Sequence, residues 1–263
     1  MTDWRAVIDA GFRLPEGLSQ QAAVGELATM LGDPDPVVRD ELGYTVLAHL
    51  VPDLDEAVCR RLGDELAGRL AAPDLHVRSF AALALAPIVE RGVFQAAWLD
   101  RFEAWYPRER DLRGWDLESG WLHAAAHGAD LLGVFGLHPS VMPARMLNLA
   151  VERLRAPTDY VFAEMEDSRL AHGIALTLTR PELSPAESIG WLDRVEADLI
   201  ANEAEHVLPR FANMIRVLQA LYMLADRGVH RSWDDGAVLA LPHKDAVKAR
   251  IAEVLRPMMP YAA

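Results

Sequence analysis

The chain is short of positive charge, has one cysteine and lacks any long apolar run, and each shortage excludes something. Its 26 Lys and Arg stand against 39 Asp and Glu, a formal net charge of −13. Proteins that gather nucleic acid or anionic membrane need a basic field, so general binding of either is not expected. With Cys59 alone no intramolecular disulfide can form, which suits a cytoplasmic home. Cys59 sits in a charged amphipathic stretch with no evident histidine beside it, so its role is read as structural. The longest apolar stretch, residues 80–89, is broken by Pro87 and falls short of the roughly 20 residues that span a bilayer. The opening MTDWRAVIDAGFRLPEG has an early Asp and no apolar core, so it does not read as a secretion signal.

Strand alternation is nearly absent, and helical periodicity runs almost throughout. Connections are marked by Pro, Gly and Asp rather than by hairpin dipeptides. The fold expected is all-α. One repeat is plain: LGDPDPVVRDELGYTVLAHL against LAAPDLHVRSFAALALAPIV, in which Pro34, Asp35, Val38 and Arg39 match Pro73, Asp74, Val77 and Arg78. That spacing of 39 residues predicts helical hairpins stacked as a solenoid. These residues resemble the HEAT-repeat family, which implies an α-α superhelix of HEAT or armadillo type. The Asp suits a helix cap, and the Arg one turn later is read as structural, reaching a neighbouring repeat's turn or carboxylate.

A hairpin of this kind cannot bury its apolar face alone, so the whole of residues 1–263 is expected to form one stacked domain. First helices are expected over 17–30 and 55–70. A third unit pairs 94–105 with a helix over 117–135, and a fourth pairs 142–154 with 162–179. Helices over 185–203, opened by a Ser184/Glu187 capping box, 206–228 and 243–256 complete the array. Arg210 and Asn213 on the second of these are placed at the surface or along a groove. Trp233 with Asp234, Asp235 and Gly236 reads as a packed loop without acidic metal-loop spacing.

The stretch 111–134, DLRGWDLESGWLHAAAHGADLLGV, concentrates the polar chemistry. On a helical wheel Trp121, Ala124, Ala125, Gly128, Leu131 and Leu132 share a broad apolar face. His123, His127 and Asp130 fall opposite at i, i+4 and i+7. Two imidazoles and a carboxylate make a possible divalent-metal set, or an acid–base pair in which Asp130 fixes the His127 tautomer. The pattern lacks the Glu of an HExxH helix and a fourth ligand, and its plain alternative is a polar helix face with two ordinary histidines. Upstream, Asp111 and Arg113 beside Trp115 and Trp121 suggest a loop that closes on an anion or peptide, or one that simply pins itself to the scaffold. Aligning His127-Gly128 with His172-Gly173, 45 residues on, places His172 in the same groove.

Three segments, RERDLRGWDLESGWLHAAAHGADLL, EDSRLAHGIALTL and NMIRVLQALYMLADRG, together resemble a bacterial family known as domain of unknown function 2785. The resemblance implies a HEAT-like or armadillo-like solenoid and implies no activity. The function expected is therefore a binding or scaffold module. Its polar concave groove, centred on 111–134, takes a protein, peptide or small polar ligand through Asp111, Arg113, Trp121, His123, His127, Asp130 and His172, with no resident cofactor. The alternative is a hydrolase-like enzyme, metal-dependent or acid–base, working through His123, His127 and Asp130. Nucleic-acid repair, which some HEAT-like folds perform, is disfavoured by the acidic balance.

Overall fold

In the computed structural model, residues 2–202, 206–232 and 235–259 are described; Glu203, Trp233 and Asp234, to which the sequence assigned a helix end and a loop, lie outside them. The described residues are mainly helical, as periodicity predicts. In chain order they form α1 Trp4–Asp9, α2 Gln20–Met30, a π-helix Val37–Tyr44 that continues as α3 Thr45–Leu50, α4 Glu56–Arg69, α5 Leu75–Glu90 and α6 Ala96–Trp105. A small hairpin, β1 Trp115–Asp116 and β2 Gly120–Trp121, precedes α7 Ala124–Leu137. Then come α8 Pro143–Arg155, α9 Glu166–Leu178, α10 Pro185–Gly190, α11 Leu192–Ile200 and α12 Pro209–Arg227. The hairpin of β3 Val229–His230 and β4 Val238–Leu239 and the helix α13 Lys244–Leu255 close the order. No described helix is long and apolar enough to cross a membrane.

Caps explain many of the helix starts. Ser19 accepts the Ala22 N–H at α2 and Asp74 the Val77 N–H at α5. At α10 the capping box forms in full, Ser184 Oγ accepting from Glu187 N while the Glu187 carboxylate accepts from Ser184 N. The helix expected over 185–203 breaks at Trp191 into α10 and α11.

The chain divides into two compact units, residues 1–105 with 111–131 and residues 106–110 with 132–263. In the first, partners recur near the sequence period. Arg61 donates to Gln21 Oε1 at 2.6 Å, Arg69 to the Ala28 carbonyl, and Arg91 to the Val51 carbonyl at 2.8 Å. Arg39 Nη1 donates to the Asp33 and Pro34 carbonyls, and Arg78 Nη1 to those of Ala72 and Pro73. The repeated arginine thus staples the turn of its own repeat, and Arg39 reaches beyond it as well. It satisfies carbonyls that a sharp turn would leave unpaired.

In the second unit α9 packs on α12 and α12 on α13. Glycines let α7 and α9 approach backbone to backbone: a Cβ on Gly133 would stand 2.9 Å from the Gly173 Cα, and one on Gly136 would strike Thr177. Both contacts advance together along the chain, so the two helices run parallel, in a register near 40 rather than 45. Buried Arg153 donates to the Tyr106 and Glu109 carbonyls, and Arg180 to those of Gly136 and His138. Asn213 is no groove residue; it is buried and clamps Tyr160 O and Phe162 N.

Two adjacent acids at the start of α9 divide the available partners. Asp167 takes Arg216 at 2.7 Å, whereas Glu166, fully buried, accepts the Glu164 N–H through Oε2 and finds no side-chain hydrogen bond for Oε1 among the described residues. Burial, with Glu164 and Asp167 nearby, pushes the Glu166 carboxyl above its ordinary 4.5. The folded state holds that proton more tightly than the unfolded chain does. Its contribution is therefore complete below 4.5 and is lost as pH rises through the raised value. Glu166→Gln, which mimics the protonated acid, should unfold at higher urea than the parent at neutral pH, with the two midpoints converging toward pH 4. Equal midpoints across that range would mean that Glu166 carries no such penalty.

Candidate functional site

The polar stretch after α6 does not build the helix that its spacing suggested. Asp116 Oδ1 accepts the N–H groups of Glu118 and Ser119, and Gly120 takes φ +71, so residues 117–119 make a tight loop between paired Trp115 and Trp121. This is a three-residue hairpin loop followed at once by a left-handed glycine, the first residue of β2. The loop chemistry overrides an apolar spacing that carries on through it. Trp121 consequently lies on a strand, 40% exposed, rather than on the buried face of a helix.

His123 is also outside the helix. It holds φ +47, and its carbonyl accepts the His127 N–H at 2.8 Å, which makes it the residue that precedes the first turn of α7. The i, i+4, i+7 line therefore does not start at His123. His123 and His127 are both buried and their ring centroids lie 5.6 Å apart, while Asp130 is half-buried further along α7. Among the described residues no three His, Cys, Asp or Glu side chains are grouped so as to hold a metal. The proposed ligand set of His123, His127 and Asp130 does not assemble in this arrangement.

The rings form a chain of contacts instead. Trp115 meets Trp121 edge to face at 4.6 Å, Trp121 stacks on His123 at 4.3 Å with 8° between the planes, and His127 meets Phe80 edge to face at 5.0 Å. Arg39 lies over the Phe80 ring at 4.8 Å. His127 Nδ1 is 2.8 Å from Ser79 Oγ, and Ser79 Oγ also bonds to the Leu122 carbonyl. A carbonyl only accepts, so the one hydroxyl proton of Ser79 points at Leu122 and His127 Nδ1 donates to Ser79. The Nδ1–H tautomer of His127 is thereby held by a serine that sequence reasoning did not name. Ser79 is wholly buried with its proton engaged, an arrangement suited to orienting the ring rather than to nucleophilic attack.

Ion pairs pin the loop from outside. Arg113 grips Asp111 through Nε and Nη2 at 2.9 and 2.7 Å and reaches Asp116 through Nη1 at 3.2 Å. Its planar fork, expected to hold an anionic group, is occupied by the chain's own carboxylates. The Arg113 hydrogen bonds hold the Asp111 carboxyl below its usual range, and the Glu118 and Ser119 N–H groups do the same for Asp116.

Sequence reasoning missed how Arg39 reaches this site. The side chain is fully buried, and besides its own turn it donates to Asp40 Oδ1 at 2.7 Å and, through Nη2, to the Ser119 and Trp121 carbonyls at 2.9 and 3.3 Å. His76, on the first turn of α5, was missed as well. Burial, then the nearby Arg39 charge, pushes its pKa down, which favours the neutral ring. No local pattern announces either role, because the Arg39 partners lie some 80 residues away. His172 belongs to the second unit, where Nε2 donates to the His230 carbonyl at 2.7 Å.

Arg39→Met should therefore cost about 3 kcal/mol in urea unfolding, since it strands several buried carbonyls, whereas Arg78→Met should cost nearer 1 kcal/mol. Equal losses would show that the hairpin draws no support from Arg39.

The model of a family described as protein of unknown function (DUF2785) matches residues 69–223, more than half of the chain. No curated protein and no solved structure matches it.

Proposed function

The chain belongs to the protein of unknown function (DUF2785) family, and from that premise we propose that it is a cytoplasmic helical-repeat binding module whose recognition element is the Trp115–Trp121 hairpin. Partners spaced near 40 residues and parallel packing of α7 on α9 support a HEAT-like solenoid of stacked helical hairpins. The observation that carries the binding reading is a contrast at the hairpin. Its backbone is held by Arg39, Asp116 and Gly120, yet Trp115, Leu117 and Trp121 are 45%, 96% and 40% exposed. Leu117 adds almost nothing to the fold from that position. A pre-ordered loop that offers aromatic and aliphatic surface binds without a large ordering cost. Its ligand class is a protein or peptide.

An acid–base enzyme is the second reading, favoured by the Ser79–His127 contact. It ranks lower because the Ser79 proton is engaged by Leu122 and because the Arg113 fork is filled by Asp111.

The test compares proteins captured from the source cells by wild type and by Leu117→Asp, chosen because the side chain is solvent-facing and the fold should be unmoved. A species retained by wild type should fall at least about tenfold on the variant, which desolvates a charge in place of an apolar contact. Identical capture by both, with identical unfolding midpoints, would remove the hairpin from the binding reading. In parallel, elemental analysis of dialysed protein should find no stoichiometric zinc, iron or manganese. Near-stoichiometric metal that disappears in His123→Ala/His127→Ala would favour the enzyme.

A further inference from the structure

The charges around the hairpin tip bear on what covers it. Leu117 stands at the outermost part of the loop, flanked in sequence by Asp116 and Glu118. Of the three carboxylates on this segment, Asp111 and Asp116 share the Arg113 guanidinium and Asp111 also feels the charge of Arg78, while the exposed Glu118 carboxylate makes no ion pair among the described residues. The tip therefore presents one projecting aliphatic side chain, two half-exposed indoles beside it and one uncompensated negative charge, on Glu118. A convex apolar tip calls for a concave apolar acceptor, and the uncompensated Glu118 carboxylate of this acidic collar calls for cationic groups at its mouth.

We infer that the tip docks into an apolar pocket of leucine size, rimmed by lysine and arginine side chains, on a folded protein partner. This rests on the binding reading above and goes beyond it by naming the surface that the partner must offer. Other occupants fit less well. A second copy of this chain brings the same net charge of −13, which repels at moderate ionic strength. A bilayer would require Asp116 and Glu118 to approach hydrocarbon together with Leu117, at a cost that one leucine does not offset. Nucleic acid would meet the collar with like charge.

The test places the photo-cross-linker p-benzoylphenylalanine at position 117 of the full chain in its source cells, and then purifies the protein that it labels. Binding of that purified protein to wild type, Leu117→Met, Leu117→Asp and Glu118→Lys is measured across a salt series. Leu117→Met should bind as wild type does, Leu117→Asp at least about tenfold more weakly, and Glu118→Lys about tenfold more weakly. Raising salt from about 0.05 to 0.5 M should weaken wild-type binding by roughly tenfold and barely change that of Glu118→Lys. If a partner is labelled and depends on Leu117 but responds neither to salt nor to Glu118→Lys, the cationic rim is wrong while the binding reading stands. If position 117 labels only a second copy of the chain, or if the protein co-sediments with phosphatidylcholine vesicles through Leu117, the pocketed partner is wrong. If nothing is labelled and vesicles are ignored, both readings fall.

Discussion

Arg39 is the side chain on which the first unit's distinctive features converge. It is fully buried, and each of its five N–H donors finds an acceptor: the Asp40 carboxylate, the Asp33 and Pro34 carbonyls of its own turn, and the Ser119 and Trp121 carbonyls of the hairpin. A buried cation is tolerable only when its hydrogen bonds are complete, so the turn, the hairpin and the guanidinium are mutually dependent. The face of the same group rests on Phe80, whose edge-to-face partner is His127. The Trp115–Trp121 hairpin and the ring contacts at its base are thus organised from one interior charge.

Much of the helical scaffold was legible from residue spacing. The Ser184/Glu187 box, the Asp74 cap and the repeat of Pro, Asp and Arg each have a local cause, and local causes survive in one dimension. The start of α7 was not legible in the same way. Residues 117–123 continue the apolar period of the helix behind them, and only the Asp116 turn and the positive φ of Gly120 break it. Periodicity measures which residues prefer burial; it does not register a loop whose own hydrogen bonds cost less than another helical turn.

The candidate site was legible as a neighbourhood and not as a mechanism. Asp111, Arg113, Trp121, His123 and His127 do gather in the first unit, but their roles come from partners that the stretch does not contain. Ser79 fixes the His127 ring, Arg39 holds the Trp121 carbonyl, and Arg113 is consumed by Asp111 within its own loop. His172 lies in the second unit, where its hydrogen-bond partner, the His230 carbonyl, is likewise distant in sequence.

The two copies of the repeated arginine show how a scaffold position acquires a second task. Arg39 and Arg78 make the same staple to their own turns, which is reason enough for arginine at both. They differ in winding and in burial: Arg39 sits on a π-helix and is sealed from solvent, whereas Arg78 sits on the regular helix α5 and is half-buried. Wider winding spaces successive side chains differently from α-helical winding, and π segments recur where a side chain has been diverted from a purely structural place. The guanidinium of Arg39 keeps its staple through Nη1 and turns Nη2 to the hairpin. The exposed loop is thereby anchored to the most buried charge in its unit, and its tip is free to be apolar because none of the hairpin's stability has to come from Leu117.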